Sequence, residues 1–303
     1  IELVSIFQVF NEFSSGSTDV TGVRDYVKYL YDNSSDLKYL MLFGDASFDF
    51  RNISNLADPQ QYIPTFETQE SLDPISGFPT DDYYGLLDND EGSRPHDRGL
   101  LDIGIGRIPV TTLAGALSVV NKIIAYETDP SFYGDWKNNI TFMADDEDTN
   151  THSRDANTIA DRVRNKYPFY NVDKIFIDDY RQEVLSAGER YPDAERAVNA
   201  KVFKGNLVMC YLGHGDSEGW AQERVLTIDD VNAWTNQYRL PLMITATCSF
   251  GPFDDPTETS IGELMFLKNN GGATALFTTV RAVYSTSNKK LTNAAFNSLV
   301  SNV

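Results

Sequence analysis

Short, continuous apolar runs alternate along the chain with stretches in which apolar residues recur every three or four positions. The runs predict buried strands and the periodic stretches predict amphipathic helices, the pattern of mostly parallel sheets flanked by helices. Strands are expected over residues 4–10, 39–43, 103–108, 139–143, 174–177, 207–212, 241–247 and 273–279. Helices are expected over 21–31, 112–126, 154–167, 191–199, 261–268 and 291–299. Asp19 stands where a cap for the first helix belongs, and Val23, Tyr26, Val27 and Leu30 share one face of it. Residues 51–100, rich in Asp, Pro, Gly and Tyr, follow neither period. They predict a long structured loop with a short strand at 83–87, and a loop of that length usually carries a function or an ion. The fold class is therefore α/β, divided into residues 1–132 and 133–303, each an open α/β unit.

Composition narrows the function. Of 303 residues 41% are hydrophobic, enough for a sizeable core. No apolar run approaches the ~20 residues of a membrane helix. A formal net charge of −19 argues against nucleic acid as a partner. Ile1 opens without a signal peptide, as expected of a cytosolic protein or of a mature piece of an exported one. Two cysteines are too few for a disulfide scaffold.

In open α/β sheets chemistry gathers beyond the carboxyl ends of the strands. Two such ends carry reactive groups: Tyr211-Leu212-Gly213-His214-Gly215-Asp216 and Thr245-Ala246-Thr247-Cys248-Ser249-Phe250-Gly251. The spacing suits one crossover between neighbouring strands, which brings His214 and Cys248 to one sheet edge. An imidazole beside a thiol accepts its proton and later protonates a leaving amine. The glycines around His214 allow a substrate backbone to approach. The N–H groups of Gly215 and Cys248 are candidate oxyanion donors. One carboxylate among Asp145, Asp146 and Glu147, at the end of another strand, can orient the ring. Cys210, mid-strand, reads as a packing residue.

Other clusters carry weaker signals. His96 sits in a polar loop and His152 beside an acidic run, but no zinc-type spacing joins them. Asp81-Asp82, Asp88-Asn89-Asp90-Glu91, Asp145–Asp148 and Asp254-Asp255 are solvated loop charge or an irregular calcium site. Gly104-Ile105-Gly106 lacks the third glycine of a dinucleotide fingerprint.

Leu212-Gly213-His214-Gly215, the downstream Trp220, and Ile244-Thr245-Ala246-Thr247-Cys248 resemble the gingipain-like cysteine peptidases of the caspase-like clan. Asn11-Glu12-Phe13-Ser14-Ser15-Gly16, Phe43-Gly44-Asp45-Ala46-Ser47, Pro79-Thr80-Asp81-Asp82-Tyr83-Tyr84-Gly85 and Gly104-Ile105-Gly106-Arg107-Ile108-Pro109 are similar to its PorU-type sortases of type IX secretion. So are Ala144-Asp145-Asp146 and the stretch from Gly271-Gly272-Ala273 to Thr278-Thr279. The resemblance spans nearly the whole chain. It implies two adjacent gingipain-like α/β subdomains, with Cys248 as nucleophile and His214 as base and acid in the second. It places the third catalytic member at Ala144-Asp145-Asp146-Glu147, where Asp146 is the expected residue. It puts Trp220 and Tyr284 beside a specificity pocket and implies a structural calcium ion, for which Asp81 and Asp82 are the candidate ligands. No cofactor is implied for the chemistry itself.

The same resemblance implies a sortase exposed at the bacterial outer membrane. Its expected substrates are exported proteins bearing a C-terminal sorting domain, its acceptor an amine on lipopolysaccharide, and its neighbours other outer-membrane components of type IX secretion. Residues 1–303 would be its catalytic core. The rival readings are a secreted endopeptidase that only hydrolyses and a non-catalytic adaptor of the same fold.

Overall fold

Ser5 and Asp19 set the course of the first residues. The segment expected as a strand over 4–10 is instead a helix, α1 (Ile6–Phe13). Ser5 and Gln8 close a capping box at its start, with the Ser5 N–H donating to Gln8 Oε1 at 3.2 Å. Val9 and Phe10 are buried and Ile6 and Phe13 pack beside them, a spacing that fits a helix face and not an alternating strand. Asp19 caps α2 (Val20–Asn33) as expected, its carboxylate accepting the Thr21 N–H at 2.8 Å. Strand β1 (Tyr39–Phe43) pairs in parallel with β2 (Gly104–Ile108), from Tyr39 opposite Gly104 to Phe43 opposite Ile108.

The computed structural model describes residues 1–34, 36–55, 62–69, 77–92, 99–186 and 188–299. His96 lies outside them. They form two compact units, Ile1–Leu113 with Phe253–Glu258, and Ala114–Pro252 with Thr259–Val303.

Within the first unit, the strand expected at 83–87 is a 3-10 helix, Asp81–Gly85. Thr80 caps it, and the consecutive Tyr83 and Tyr84 are both buried, which a strand with one buried face cannot achieve. Arg107 organises this region. Its Nε and Nη2 grip both Asp81 carboxylate oxygens at 2.7 Å, while Nη1 donates to the carbonyls of Gly44, Asp45 and Ile63. Its guanidinium also lies 5.1 Å from the Phe253 ring centre. Asp81, an expected calcium ligand, thus has both oxygens committed to a buried guanidinium. Asp82 has no such partner, and burial followed by the Asp81 charge holds its carboxyl above the usual range. Among the described residues, neither belongs to a cluster of three potential metal ligands.

The second unit is built on five parallel strands: β3 (Asn139–Ala144), β4 (Asn171–Phe176), β5 (Val208–Leu212), β6 (Leu242–Ala246) and β7 (Ala275–Phe277). Their order in the sheet is β7-β6-β5-β3-β4. Every residue of β3 and β5 is buried, as continuous apolar runs in a parallel sheet require. Side chains alternate between two cores. Met143, Met209, Tyr211 and Met243 meet α5 (Pro192–Lys204), α6 (Ile228–Ala233) and α7 (Ile261–Leu267) on one face. Ile140, Phe142, Cys210 and Ile244 meet α4 (Glu147–Lys166) and α8 (Ser285–Leu299) on the other. The chain steps from β3 to β4 on one side, then returns to lay β5 on the opposite flank of β3. The switch point of the topology therefore lies between the carboxyl ends of β3 and β5, where such sheets place their sites.

The helix at Leu113–Thr128, α3, falls almost wholly within the second unit. Its Lys122 is buried and donates to the carbonyls of Phe266, Lys268 and Ala273, at the end of α7 and the approach to β7. Among the described residues, no helix is long and apolar enough to cross a membrane.

Replacing Arg107 by Met should strand the Asp81 charge and three buried carbonyls, at a cost of about 3–5 kcal/mol. Denaturant unfolding of the two proteins measures it, and a loss below about 1 kcal/mol would show that the guanidinium is not the organiser of the first unit.

Candidate active site

Three adjacent strand ends supply the site. Beyond β3 the chain reads Asp145-Asp146-Glu147-Asp148, beyond β5 Gly213-His214-Gly215, and beyond β6 Thr247-Cys248. The register sets their level: Ala144 and Ala246 each pair with Leu212. Two further backbone bonds extend the ladder, Asp145 N–H to the Leu212 carbonyl at 3.1 Å and Gly213 N–H to the Ala246 carbonyl at 3.3 Å. His214 and Cys248 consequently each leave the sheet two residues after the paired Leu212 and Ala246.

The residue that holds His214 is Asp145. Its Oδ2 lies 2.7 Å from His214 Nδ1 and accepts the His214 main-chain N–H at 3.0 Å. Its Oδ1 accepts the Asp146 N–H at 2.9 Å. Asp146, the expected third member, points elsewhere: its Oδ2 accepts the Tyr191 hydroxyl at 2.7 Å. The reason is position. Asp145 continues the β3 ladder toward β5, while Asp146 stands at the N-cap position of α4 without a side-chain cap bond. Glu147 and Asp148 surround the ring, with carboxylate oxygens 4.0 Å from Nδ1 and 3.6 Å from Nε2. Burial works against a charged imidazole here. The Asp145 hydrogen bond and charge, then the charges of Asp148 and Glu147, outweigh it and raise His214 above its ordinary value.

The two glycines beside His214 serve the protein's own packing. A Cβ on Gly213 would stand 2.4 Å from the Tyr211 hydroxyl and 2.5 Å from Asp145 Cβ. On Gly215 it would stand 2.6 Å from the Gly219 carbonyl oxygen and 2.7 Å from Thr247 Oγ1. Asp145 and Tyr211 approach closely at Gly213, and the Gly219 carbonyl and Thr247 at Gly215.

Cys248 is half-buried. Its Sγ lies between the main-chain groups of Val283, whose N–H donates to sulfur at 3.4 Å. The next residue, Ser249, sits at φ 44°, a left-handed conformation costly for a residue with a side chain, and its N–H is tied to the Arg281 carbonyl at 3.1 Å. Thr279 Oγ1 donates to the Thr247 carbonyl, fastening the same loop to the segment after β7. The Cys248 N–H has no acceptor among the described residues, as an oxyanion donor requires. His214 and Cys248 share no hydrogen bond among the described residues; the ring turns Nε2 toward Asp148. Cys210 is wholly buried, and burial pushes its thiol far up.

Trp220, expected beside a pocket, is fully buried. It stacks on Tyr211 at 4.4 Å between ring centres and lies 5.9 Å from Phe250. The Tyr211 hydroxyl donates to the His214 carbonyl at 2.7 Å, so this stack is the floor under the His214 turn. Tyr284 follows Val283 and is 73% exposed, free to meet a ligand.

A cluster that the sequence alone did not single out is Asp145, Asp146 and Glu223, with one carboxylate oxygen of each within 4.8 Å of the others. Glu223 comes from the loop after Trp220, with no motif to flag it. Asp146 Oδ1 and Glu223 Oε2 are buried without a hydrogen-bond partner. These three carboxylates are an all-oxygen set suited to a hard divalent cation. Without a cation, burial and then the neighbouring charges raise the Glu223 carboxyl above its ordinary value.

A family model described as peptidase family C25 matches residues 1–303. No curated protein matches the sequence directly. Among solved structures, the Arg-specific cysteine proteinase gingipain R (RgpB) superposes with a TM-score of 0.69 at 16% identity, over 94% of this chain and 59% of that one. The complex of Porphyromonas gingivalis RgpB pro- and mature domains gives 0.68 at 16% identity, over 94% and 60%. At such identities the likeness is one of fold, and the chain spans only part of those proteins. Dimeric latent PorU from the same organism aligns over 42% of this chain and 13% of that one, at 34% identity and a TM-score of 0.36.

Two outcomes test the electrostatics. Asp145→Asn removes the strongest contributions raising His214, so its ring, followed by NMR, should titrate at a lower pH than in the wild type. An unchanged titration would place the effect in Glu147 and Asp148. A carboxyl whose folded pKa is raised destabilises the fold above that pKa and ceases to do so below its unfolded value. With chelator present, Glu223→Gln should therefore raise the urea midpoint at about pH 7 and leave it unchanged near pH 4. A lower midpoint for the Gln variant at neutral pH would show that the ionised carboxylate is itself satisfied in the fold.

Proposed function

Residues 1–303 belong to peptidase family C25, and from that membership we propose that they form the catalytic part of a cysteine peptidase of the sortase kind. The observation that carries the catalytic reading is the row of Asp145, His214 and Cys248 on three neighbouring strand ends, with Asp145 fixing the ring through Nδ1. That bond leaves Nε2 as the nitrogen that exchanges protons. His214 takes the Cys248 proton, and the thiolate attacks the carbonyl before the scissile bond. The oxyanion is received by the Cys248 N–H, with Gly215 N–H as the second donor. As the carbon–nitrogen bond breaks, the imidazolium gives its proton to the leaving amine, and a thioester remains on Cys248. Tyr284, exposed beside Val283, is the candidate side chain for substrate contact.

In the sortase reading an acceptor amine then attacks the thioester, His214 takes the amine's proton, an amide forms and the thiolate departs. Nothing in the Cys–His arrangement chooses amine over water; exclusion of water and positioning of the amine decide. The motif set shared with PorU-type sortases supports transfer, with cargo bearing a C-terminal sorting domain as donor and a lipopolysaccharide amine as acceptor, at the outer face of the outer membrane. Other outer-membrane components of type IX secretion would be its neighbours. The calcium ion expected of the family fits Asp145, Asp146 and Glu223, whose two orphaned oxygens it would satisfy. It would serve by offsetting the charge that crowds behind His214.

The test is mass spectrometry of a cargo peptide ending in a sorting domain, incubated with the chain and an excess of a model amine. The expected product is cargo joined to the amine, with none from Cys248→Ala. Cargo with a free carboxyl end as the only product would favour the hydrolytic endopeptidase. Product formation undiminished in Cys248→Ala would remove Cys248 from the chemistry.

A further inference from the structure

The turn that opens α4 does something the peptidase reading does not use. Asp148, Thr149 and Asn150 all adopt left-handed backbone angles, with φ of 55°, 54° and 59°. Three consecutive residues with side chains in that region cost several kcal/mol unless their surroundings compensate. The turn brings the Asp148 carboxylate between two imidazoles. Its Oδ2 lies 3.4 Å from His152 Nε2 and 3.6 Å from His214 Nε2. His152 is only 8% exposed, and its Nε2 is buried without a hydrogen-bond partner. The two rings stand nearly perpendicular, with centres 5.1 Å apart.

Both separations from Asp148 are those of a metal polyhedron. Donors bound tetrahedrally to zinc at about 2.0–2.1 Å stand about 3.4 Å from each other. The mix of two imidazoles and one carboxylate suits zinc and its first-row neighbours, whereas calcium takes oxygen alone. The support behind the ligands is in place as well. His214 Nδ1 lies 2.7 Å from Asp145 Oδ2, and a carboxylate there makes Nδ1 the protonated nitrogen and leaves the Nε2 lone pair for a metal. One ring nitrogen of His152 lies within 4.8 Å of one ring nitrogen of His214. Asp148 is largely exposed, so an ion has a route in.

We propose that His152 Nε2, His214 Nε2 and Asp148 form a three-donor site for a zinc-class divalent cation, with water as fourth ligand, and that its occupancy withdraws His214 from Cys248. The binding part stands on this geometry alone; the inhibitory part rests on the peptidase reading above. A bound ion uses the one lone pair that His214 needs for proton exchange, so metal and catalysis exclude each other.

Cobalt(II) serves as the probe, titrated into the full chain after chelator removal. Visible d–d absorption saturating near one equivalent is expected, in the wild type and equally in Cys248→Ala, with displacement by zinc. His152→Gln and the exposed-site variant Asp148→Asn should each weaken binding about 10-fold or more. In parallel, zinc should slow alkylation of Cys248 in the wild type, and each variant, measured against its own metal-free rate, should need about 10-fold more zinc for the same fractional slowing. The absence of d–d bands in the wild type would overturn the site, as would unchanged affinity in Asp148→Asn. Binding that vanishes in Cys248→Ala would place the metal on the thiol. Cobalt bands with an alkylation rate that zinc does not alter would keep the site and overturn its inhibitory role.

Discussion

One buried carboxylate governs the candidate active site. Asp145 is 1% exposed, and an ionised carboxylate so far from water is tolerated only when its lone pairs are taken. The His214 ring, the His214 N–H and the Asp146 N–H take them. The same contacts fix the path of the chain after β5, and they explain why residue 213 lacks a side chain: a Cβ there would occupy the space of Asp145 itself. The strand ends, the glycine and the histidine form one interlocked unit.

Around that unit the charge is lopsided. Glu147 and Asp148 flank His214, Asp146 and Glu223 gather beside Asp145, and no lysine or arginine is paired with Asp145 or Asp146 among the described residues. The arrangement favours an imidazolium and attracts cations. Oxygen donors gather behind the ring and a mixed nitrogen and oxygen set gathers in front of it. Beneath lies the Tyr211–Trp220–Phe250 stack, which converts an aromatic once expected at a pocket into the support of the His214 turn. A fully buried aromatic pair contributes rigidity as well as area.

The first unit solves a different problem by similar means. Its sheets are two-stranded and small, and its connecting segments are long and polar. Arg107 gathers them by using a guanidinium's fixed fork on Asp81 and on three carbonyls. The buried pair costs desolvation on both sides, so its worth lies in specifying how these segments are arranged.

Local sequence determined much of this architecture. Continuous apolar runs marked the parallel strands, because both faces of such strands are buried, and the Asp19 cap and helix periods marked most helices. The segments 4–10 and 83–87 were misread because short apolar clusters do not separate strand from helix; the Ser5 capping box and the adjacent buried tyrosines decide those cases. His214 and Cys248 were legible because they are rare residue types that end apolar runs beside glycine. The choice of Asp145 over Asp146, the burial of Trp220, the commitment of Asp81 to Arg107, and the meeting of Glu223, His152 and Asp148 with the site were not legible. Each depends on which strand lies next to which and where a side chain points after a turn. A shift of one residue along a strand end redirects a carboxylate to a different neighbour, and spacing along the chain does not encode that direction.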